Sequence, residues 1–456
     1  MGIHLDWEIE AEQEQVRQAG EDPQSARRRR RARLRVLLII LVVLGIFGGI
    51  FAGIFLRLRA VDEQVEQALR NTVEAEVAAL RIGDENAFLN IQRSATDDWL
   101  TAQDELFNAY QTLKLERDVR LTGRVVDATV NGLRGRAQVE EIIDNVPYTR
   151  VWFYWRYEDG WRHVPPDYTF WGEVKTFDAQ GVSVRYNGVD ELLAQEVGQK
   201  LESWLKIGCE AISCGTLPEI QVEIVPDEAL ALKWSDSNPW QLQFPSPYTR
   251  QARLDMPFDL NLQLQVAGLL GERLVTVASK SMQPTYPADA YYLRSAVGSW
   301  LVGRFAQIDT NSFLIASLAQ NYGAQAVGRL MQTMTPDSSA NILNTITGTT
   351  SLEQANLDWR DFFTWRLALE NDLITRRDET NFLALYDTRD EAVRNAAYER
   401  YNAGGTGEQR IVVSAIPENA PDGSFILRAI VQVGGAGGRQ EAALFRVVDG
   451  VWKRAN

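Results

Sequence analysis

The spacing of hydrophobic and polar positions changes repeatedly along the chain, and each change predicts a new element. Residues 36–56 contain no charged side chain at all. At about 1.5 Å rise per residue, a helix of that length spans about 31 Å, enough to cross a bilayer once. From residue 61 to about 110 the period is helical. Val65, Leu69, Val73 and Val77 mark one stripe, Phe88, Ile91, Trp99 and Leu106 belong to a second segment, and Gly83-Asp84 forms the corner between them. After Leu113 the period falls to two. Residues 119–130 alternate, and 150–164 read as a hairpin turning at Glu158-Asp159-Gly160, crowded with Trp152, Tyr154, Trp155, Tyr157 and Trp161. Such aromatic strands fill the concave face of a curved sheet by packing.

Beyond residue 176 the order of elements is different. Residues 182–186 read as a strand, 190–207 as an amphipathic helix, and 220–225 as a strand bounded by Pro218 and Pro226. A helical block follows at 260–281, 291–307, 312–321, 324–334 and near 352–369. The chain closes with strands at 410–416, 424–433 and 441–448. The glycines at 434, 435, 437 and 438 form a turn between two strands; no helix follows them to hold a phosphate.

The two ends of the region beyond the apolar run echo each other. Arg-Ile-Gly-Asp-Glu-Asn-Ala-Phe-Leu at 81–89 matches Arg-Arg-Asp-Glu-Thr-Asn-Phe-Leu at 376–383. Arg-Tyr-Glu-Asp-Gly-Trp-Arg at 156–162 matches Arg-Val-Val-Asp-Gly-Val-Trp-Lys at 446–453. One unit, occurring twice, brackets a middle segment. Helix, corner and helix followed by a sheet with a last acidic-Gly-Trp-basic hairpin resembles the nuclear transport factor two-like (cystatin-like) cone, over residues 60–173 and 366–456. Enzymes of that family often use Asp–His pairs in the cone, while many members are binding modules. His163 is the single histidine beyond the apolar run, and its reading here is structural.

The middle segment, 176–365, resembles the peptidase MA-like (gluzincin-type) zinc peptidases, in which a strand, a helix and an edge strand precede a His-Glu-x-x-His helix. The chemistry needs two histidines at i and i+4 with a glutamate as general base. A second helix then supplies a glutamate ligand. On this resemblance the first motif falls on Leu270-Gly271-Glu272-Arg273-Leu274-Val275 and the second on Ser299-Trp300-Leu301-Val302-Gly303-Arg304-Phe305. Gly271 and Val275 stand where both histidines should be, and Val302 where the glutamate should be. Glu272 alone remains, either on a solvated helix face or as a contact in a retained cleft. With His4 and His163 the only histidines, no His-Glu-x-x-His motif exists in the chain. No catalytic residue, metal or cofactor is expected.

Charge and cysteines set the compartment. Arg27, Arg28, Arg29, Arg30, Arg31, Arg33 and Arg35 adjoin the apolar run, and arginine clusters stay on the cytoplasmic side. Residues 1–35 are therefore expected inside, as a polar tail with a lone Trp7, and the rest outside. Beyond the anchor 39 basic and 54 acidic residues leave a net charge of −15, which repels phosphate backbones and disfavours nucleic acid. Outside the membrane, Cys209 and Cys214 are expected to pair. Gly45, Gly49 and Gly53 recur every fourth residue on one helix face, a spacing that lets two membrane helices associate as a homodimer.

The expectation is an α+β multidomain protein with one N-terminal transmembrane helix and two cones flanking a mostly helical zincin-like domain. Its partners would be the bilayer and an unknown extracytoplasmic protein or peptide, and its role binding or scaffolding. Transmembrane signalling and a carboxylate-dependent hydrolase without zinc are the alternatives.

Overall fold

The computed structural model describes residues 23–405, 407–420, 423–435 and 437–456. Trp7, His4 and the acidic tail lie outside the described residues, as do the side chains of Arg27 to Arg31 and of Arg35. The chain is a mixed α+β, multidomain protein with one N-terminal helix apolar and long enough to span a membrane. It divides into two compact units. The first is Met1–Glu141 with Trp152–Pro166; the second is Ile142–Val151 with Asp167–Asn456.

In the first unit a 60-residue helix, α1 (Pro23–Ile82), carries the uncharged run and continues without a break into the folded core. Residues 37–64 are exposed throughout, and burial begins at Val65. From there Leu69, Val73, Val77 and Leu80 form the inner stripe against Phe88, Phe107 and Tyr110. Gly83 ends the helix at φ +79°, a conformation that costs a residue without Cβ little. Asp84 then caps α2 (Glu85–Ile91) by accepting from Ala87 N at 3.0 Å. After α3 (Asp97–Glu116) come β1 (Val119–Arg120), β2 (Val125–Asn131), β3 (Arg134–Ile143), β4 (Val146–Tyr157) and β5 (Gly160–Val164). Strands β2, β3, β4 and β5 pair in sequence order, antiparallel where β2 meets β3 and β4 meets β5. Val151, Trp152, Phe153 and Tyr154 are buried in succession, whereas Trp155 faces outward, so the middle of β4 is covered on both faces and does not follow the one-sided alternation read from sequence.

The second unit opens with β6 (Val174–Ala179), β7 (Val182–Asn187), α4 (Glu191–Ile212), β8 (Ile220–Val225), β9 (Lys233–Trp234), β10 (Gln241–Pro245) and β11 (Ala252–Arg253). A five-stranded sheet runs β6-β7-β8-β10-β9. Its three central strands are parallel, because α4 provides the crossover from β7 to β8. Helix α4 reaches Ile212, five residues beyond the sequence expectation, so Cys209 sits in its last turn and Ser213 ends it at φ +56°. Cys209 and Cys214 form a disulfide that staples this end. Replacing both by serine should lower stability by about 2 kcal/mol, read as a shift in the urea midpoint that vanishes under reducing conditions.

Helices α5 (Leu260–Ala278), α6 (Asp289–Ala306), α7 (Phe313–Tyr322), α8 (Ala324–Thr333) and α9 (Ile342–Thr347) follow. The helix expected near 352–369 is instead a 3-10 turn at Leu352–Ala355 and a separate helix, α10 (Arg360–Arg376), with Asn356 left-handed between them. The expected boundary at residue 366 thus falls inside α10. Phe363 of α10 stacks on Phe445 at 4.0 Å, so this helix belongs with the terminal sheet. Helices α11 (Glu379–Ala384) and α12 (Glu391–Ala403) precede β12 (Arg410–Asn419), β13 (Phe425–Val433), β14 (Arg439–Val448) and β15 (Val451–Arg454), an antiparallel sheet in sequence order.

The repeat read from sequence recurs in the geometry. Three helices precede four sequentially paired strands in both places, and the first strand of each set carries a bulge, at Val125/Asp127 and at Val412/Ser414. Arg377 (φ +60°) and the cap Asp378 reproduce Gly83 and Asp84.

Candidate functional site

Buried charged side chains lie at several places in the fold, Glu76 and Glu370 among them. Glu76 lies on the apolar stripe of α1, between Val73 and Leu80, and is 0% exposed. Three side chains converge on its carboxylate. Gln92 Nε2 donates to Oε1 at 2.7 Å, Tyr154 Oη donates to Oε2 at 2.8 Å, and His163 Nδ1 lies 2.7 Å from Oε1. The imidazole, 4% exposed, stacks on Trp152 and Tyr154 at 5.2 and 5.0 Å, with Trp99 edge-on at 5.3 Å. Burial and the Glu76 carboxylate push the Tyr154 phenol well above its ordinary value. His163 is held in place by the backbone as well, because Arg93 N donates to its carbonyl at 2.8 Å. An acid–histidine pair therefore sits between α1 and the sheet of the first unit, closed to solvent. Its local role is to satisfy a carboxylate that the fold has removed from water.

The equivalent position in the C-terminal helices and sheet is Glu370. It lies seven residues before Arg377, as Glu76 lies seven before Gly83, and it is 2% exposed. Arginines replace the neutral donors there. Arg454 Nη1 reaches both oxygens at 3.0 and 2.9 Å, Arg400 Nε one at 3.0 Å and Arg410 Nη1 one at 3.1 Å. Burial pushes the Glu370 carboxyl up, but Arg454, Arg400 and Arg410 together outweigh it and hold it below its ordinary value. Arg454 stands where His163 stands: each follows the buried tryptophan of the last strand by two residues, and each shares a parallel bridge with the segment after the short helix. Sequence inspection missed both glutamates. The available signal was a charged residue on an otherwise apolar helical stripe, in register with the 81–89 and 376–383 echo.

Gly271, Glu272 and Val275 lie on α5, and Val302 lies on α6. Gly271 faces α6, where an added Cβ would meet Gly298 O at 3.4 Å and Val302 Cγ2 at 3.8 Å, ordinary contact distances. Val275 is fully buried. Glu272 is exposed and pairs across to Arg294 of α6, whose guanidinium also donates to Thr276 Oγ1 at 2.8 Å. Among the described residues no three His, Cys, Asp or Glu side chains group closely enough to hold a metal ion. On the apolar segment, nothing approaches within 4 Å of the positions a Cβ would take at Gly45, Gly49 and Gly53. Arg33 is exposed at the other side of the run.

A cavity of about 450 Å³ lies between the turn at 353–360 and the sheet β12–β15. Trp359 and Trp452 meet edge-on in its wall at 5.4 Å. Arg360 and Asp358, also in the wall, neutralise each other through contacts of 2.7 and 3.0 Å. The adjacent Asp361 accepts from Leu314 N at 3.1 Å at the start of α7. Burial raises its carboxyl to about 6, against the opposing effect of the Tyr292 hydroxyl and of backbone N–H groups. A carboxyl raised above its unfolded value near 3.8 favours folding while it is protonated, and that contribution is lost as pH rises through about 6. Asp361→Asn should therefore differ little from the parent near pH 4 and be more stable by about 3 kcal/mol above pH 7. Urea midpoints at the two pH values check this.

No protein-family model, curated protein or solved structure matches the chain.

Proposed function

We propose that this chain is a single-pass membrane protein with residues 1–35 cytoplasmic, and that its extracytoplasmic domains bind or scaffold a peptide or protein partner without catalysis. The observation that carries the reading is the uncharged, wholly exposed helical run of α1, which continues into a folded domain. Twenty consecutive solvent-facing apolar or glycine positions, 37–56, have no stable place in water, and a bilayer satisfies them. The arginines at 27–35 support the orientation. The two repeated halves are proposed as nuclear transport factor two-like cones, and the segment between them as a peptidase MA-like domain without its ligands. The packing of Gly271 against Val302 supports that alignment, since it puts the two motif helices face to face where a metal would have been held.

The test is metal content of the full chain in detergent after incubation with zinc and desalting. The reading expects no retained zinc and no hydrolysis of a peptide panel. Stoichiometric zinc with activity lost in Glu272→Gln would overturn it. The unbroken path from the anchor to the buried Glu76 favours transmembrane signalling as a second reading. Deleting residues 1–26 separates the two, since a scaffold tolerates the deletion and a signalling protein does not. Association through the Gly45, Gly49 and Gly53 face would be weakened by Gly49→Leu, read as loss of dimer in micelles.

A further inference from the structure

In the first unit the chain enters its sheet by running back along α1, so positions on the helix give the height of each segment above the apolar run. Arg81 Nε donates to Leu121 O at 2.8 Å, and Arg70 Nη1 donates to Val125 O at 3.1 Å. The path therefore descends towards the anchor as β2 begins. From Val125 to Asn131 the strand covers about 20 Å. It ends in the two-residue turn Gly132-Leu133, with Gly132 at φ +64° and Asn131 paired with Arg134. There a cavity of about 440 Å³ separates Asn131 and Gly132 from Val61, Asp62 and Val65 of α1. Val61 is five residues past Leu56, about 7.5 Å along the helix axis. Outside a hydrocarbon core of about 30 Å, the headgroup layer is about 5–7.5 Å deep on each face. The turn and the outer headgroups thus lie at one height.

The side chains at this height are of the kinds a membrane interface selects. Leu133, at the tip of the turn, is 62% exposed. Arg156 N donates to Leu133 O at 2.8 Å, which holds the tip against β4, and the exposed Trp155 stands beside it. The Arg156 side chain lines the cavity. Glu63 and Glu66 are paired with Arg59 and Arg70. Along this stretch of helix and cavity wall that leaves Arg57 and Arg156 against Asp62, an excess of positive charge. An apolar tip, an indole and a cation suit a surface of ester and phosphate groups.

We infer that the β2–β3 turn is a second membrane contact, in which Leu133 seats among the lipid headgroups beside α1 and Arg156 faces their phosphates. This rests on the membrane placement of α1 and adds to it a surface outside the apolar run. The contact would fix how the first unit stands on the bilayer.

The experiment uses the full chain in phosphatidylcholine vesicles that contain phosphatidylcholine spin-labelled on its headgroup. Cysteines introduced singly as Leu133→Cys, Leu115→Cys and Leu44→Cys carry bimane, while Cys209 and Cys214 are paired and do not react. Leu115 is the control. It is 89% exposed, but Lys114 Nζ donates to Leu80 O, about 36 Å along α1 from Leu56. All three positions face solvent in the chain alone, so the labelled proteins should keep the parent urea midpoint. Bimane at Leu133 should be quenched at least about threefold more than at Leu115. A reporter at Asn131→Cys should lose at least half its quenching when Leu133→Asp is added. Leu44 reports on the placement itself, through lipid spin-labelled deep in its acyl chain. Quenching at Leu44 with equal quenching at Leu133 and Leu115 overturns the inference alone, as does an Asn131 signal that Leu133→Asp leaves unchanged. No quenching at Leu44 overturns the membrane placement and the inference with it.

Discussion

Glu370→Gln should destabilise the second unit by about 3–5 kcal/mol, the largest loss expected from any single isosteric change in the chain. Gln fills the same space, so the effect is electrostatic. It leaves Arg454, Arg400 and Arg410 converging on a neutral group, and guanidinium groups do not escape by losing a proton. Arg410 and Arg454 are largely buried, so water does little to screen them. Adding Arg454→Met should recover part of the loss, giving a coupling that a simple packing defect would not show. The pH dependence has a definite sign. A carboxyl held below its ordinary value contributes stability above that value and loses it as pH falls through the folded value. The gap between parent and variant should therefore narrow in acid. Glu76→Gln makes the comparison internal, since its partners are neutral donors or an imidazole, and a cost of about 1–3 kcal/mol is expected. Urea titrations of the variants, followed by tryptophan emission, measure both.

The second large effect concerns the anchor. Leu44→Asp with Phe47→Asp places two carboxylates near the middle of the uncharged run, at about 2.5–3.5 kcal/mol each for a helix centre, with the apolar contributions of Leu and Phe lost as well. A penalty of about 6 kcal/mol or more should move the chain out of the membrane. Alkaline carbonate extraction reads the result: the parent chain stays in the pellet and the double variant appears in the supernatant. The same pair leaves the buried core untouched, because residues 37–64 are exposed and burial starts at Val65. Detergent-purified parent and variant should therefore show equal urea midpoints.

Sequence periodicity made the long elements legible because their burial is one-sided. The stripe Leu69, Val73 and Val77 reflects a single buried face, whereas β4, buried at four successive residues from Val151 to Tyr154, was legible from its aromatic and β-branched residues. Short pieces carried no such signature. Strand β9 has two residues and β11 two, and their pairing is decided by partners far away in sequence. Helix α4 overran its expected end because Gly208 tolerates close packing, with a hypothetical Cβ at 2.6 Å from Leu274, inside a helix whose apolar pattern continues to Ile212. The break between Leu352 and Arg360 turned on one left-handed residue, Asn356, which a periodicity reading passes over.

The site was less legible than the fold. His163 was visible as a residue, yet its partner Glu76 lies 87 positions away and is recognisable only as a charge on an apolar stripe. Glu370 follows once the repeat is extended seven residues upstream. The cavity beside Trp452 had no sequence signal, since it arises from where a helix starts.

Topology is the central claim, and protease protection of sealed, right-side-out vesicles tests it most directly. The chain would carry one tag before residue 27 and another after Asn456. The account predicts that added protease destroys the C-terminal tag and everything beyond the anchor while the N-terminal tag survives until detergent is added. A protected C-terminal tag with a digested N-terminal one would contradict it.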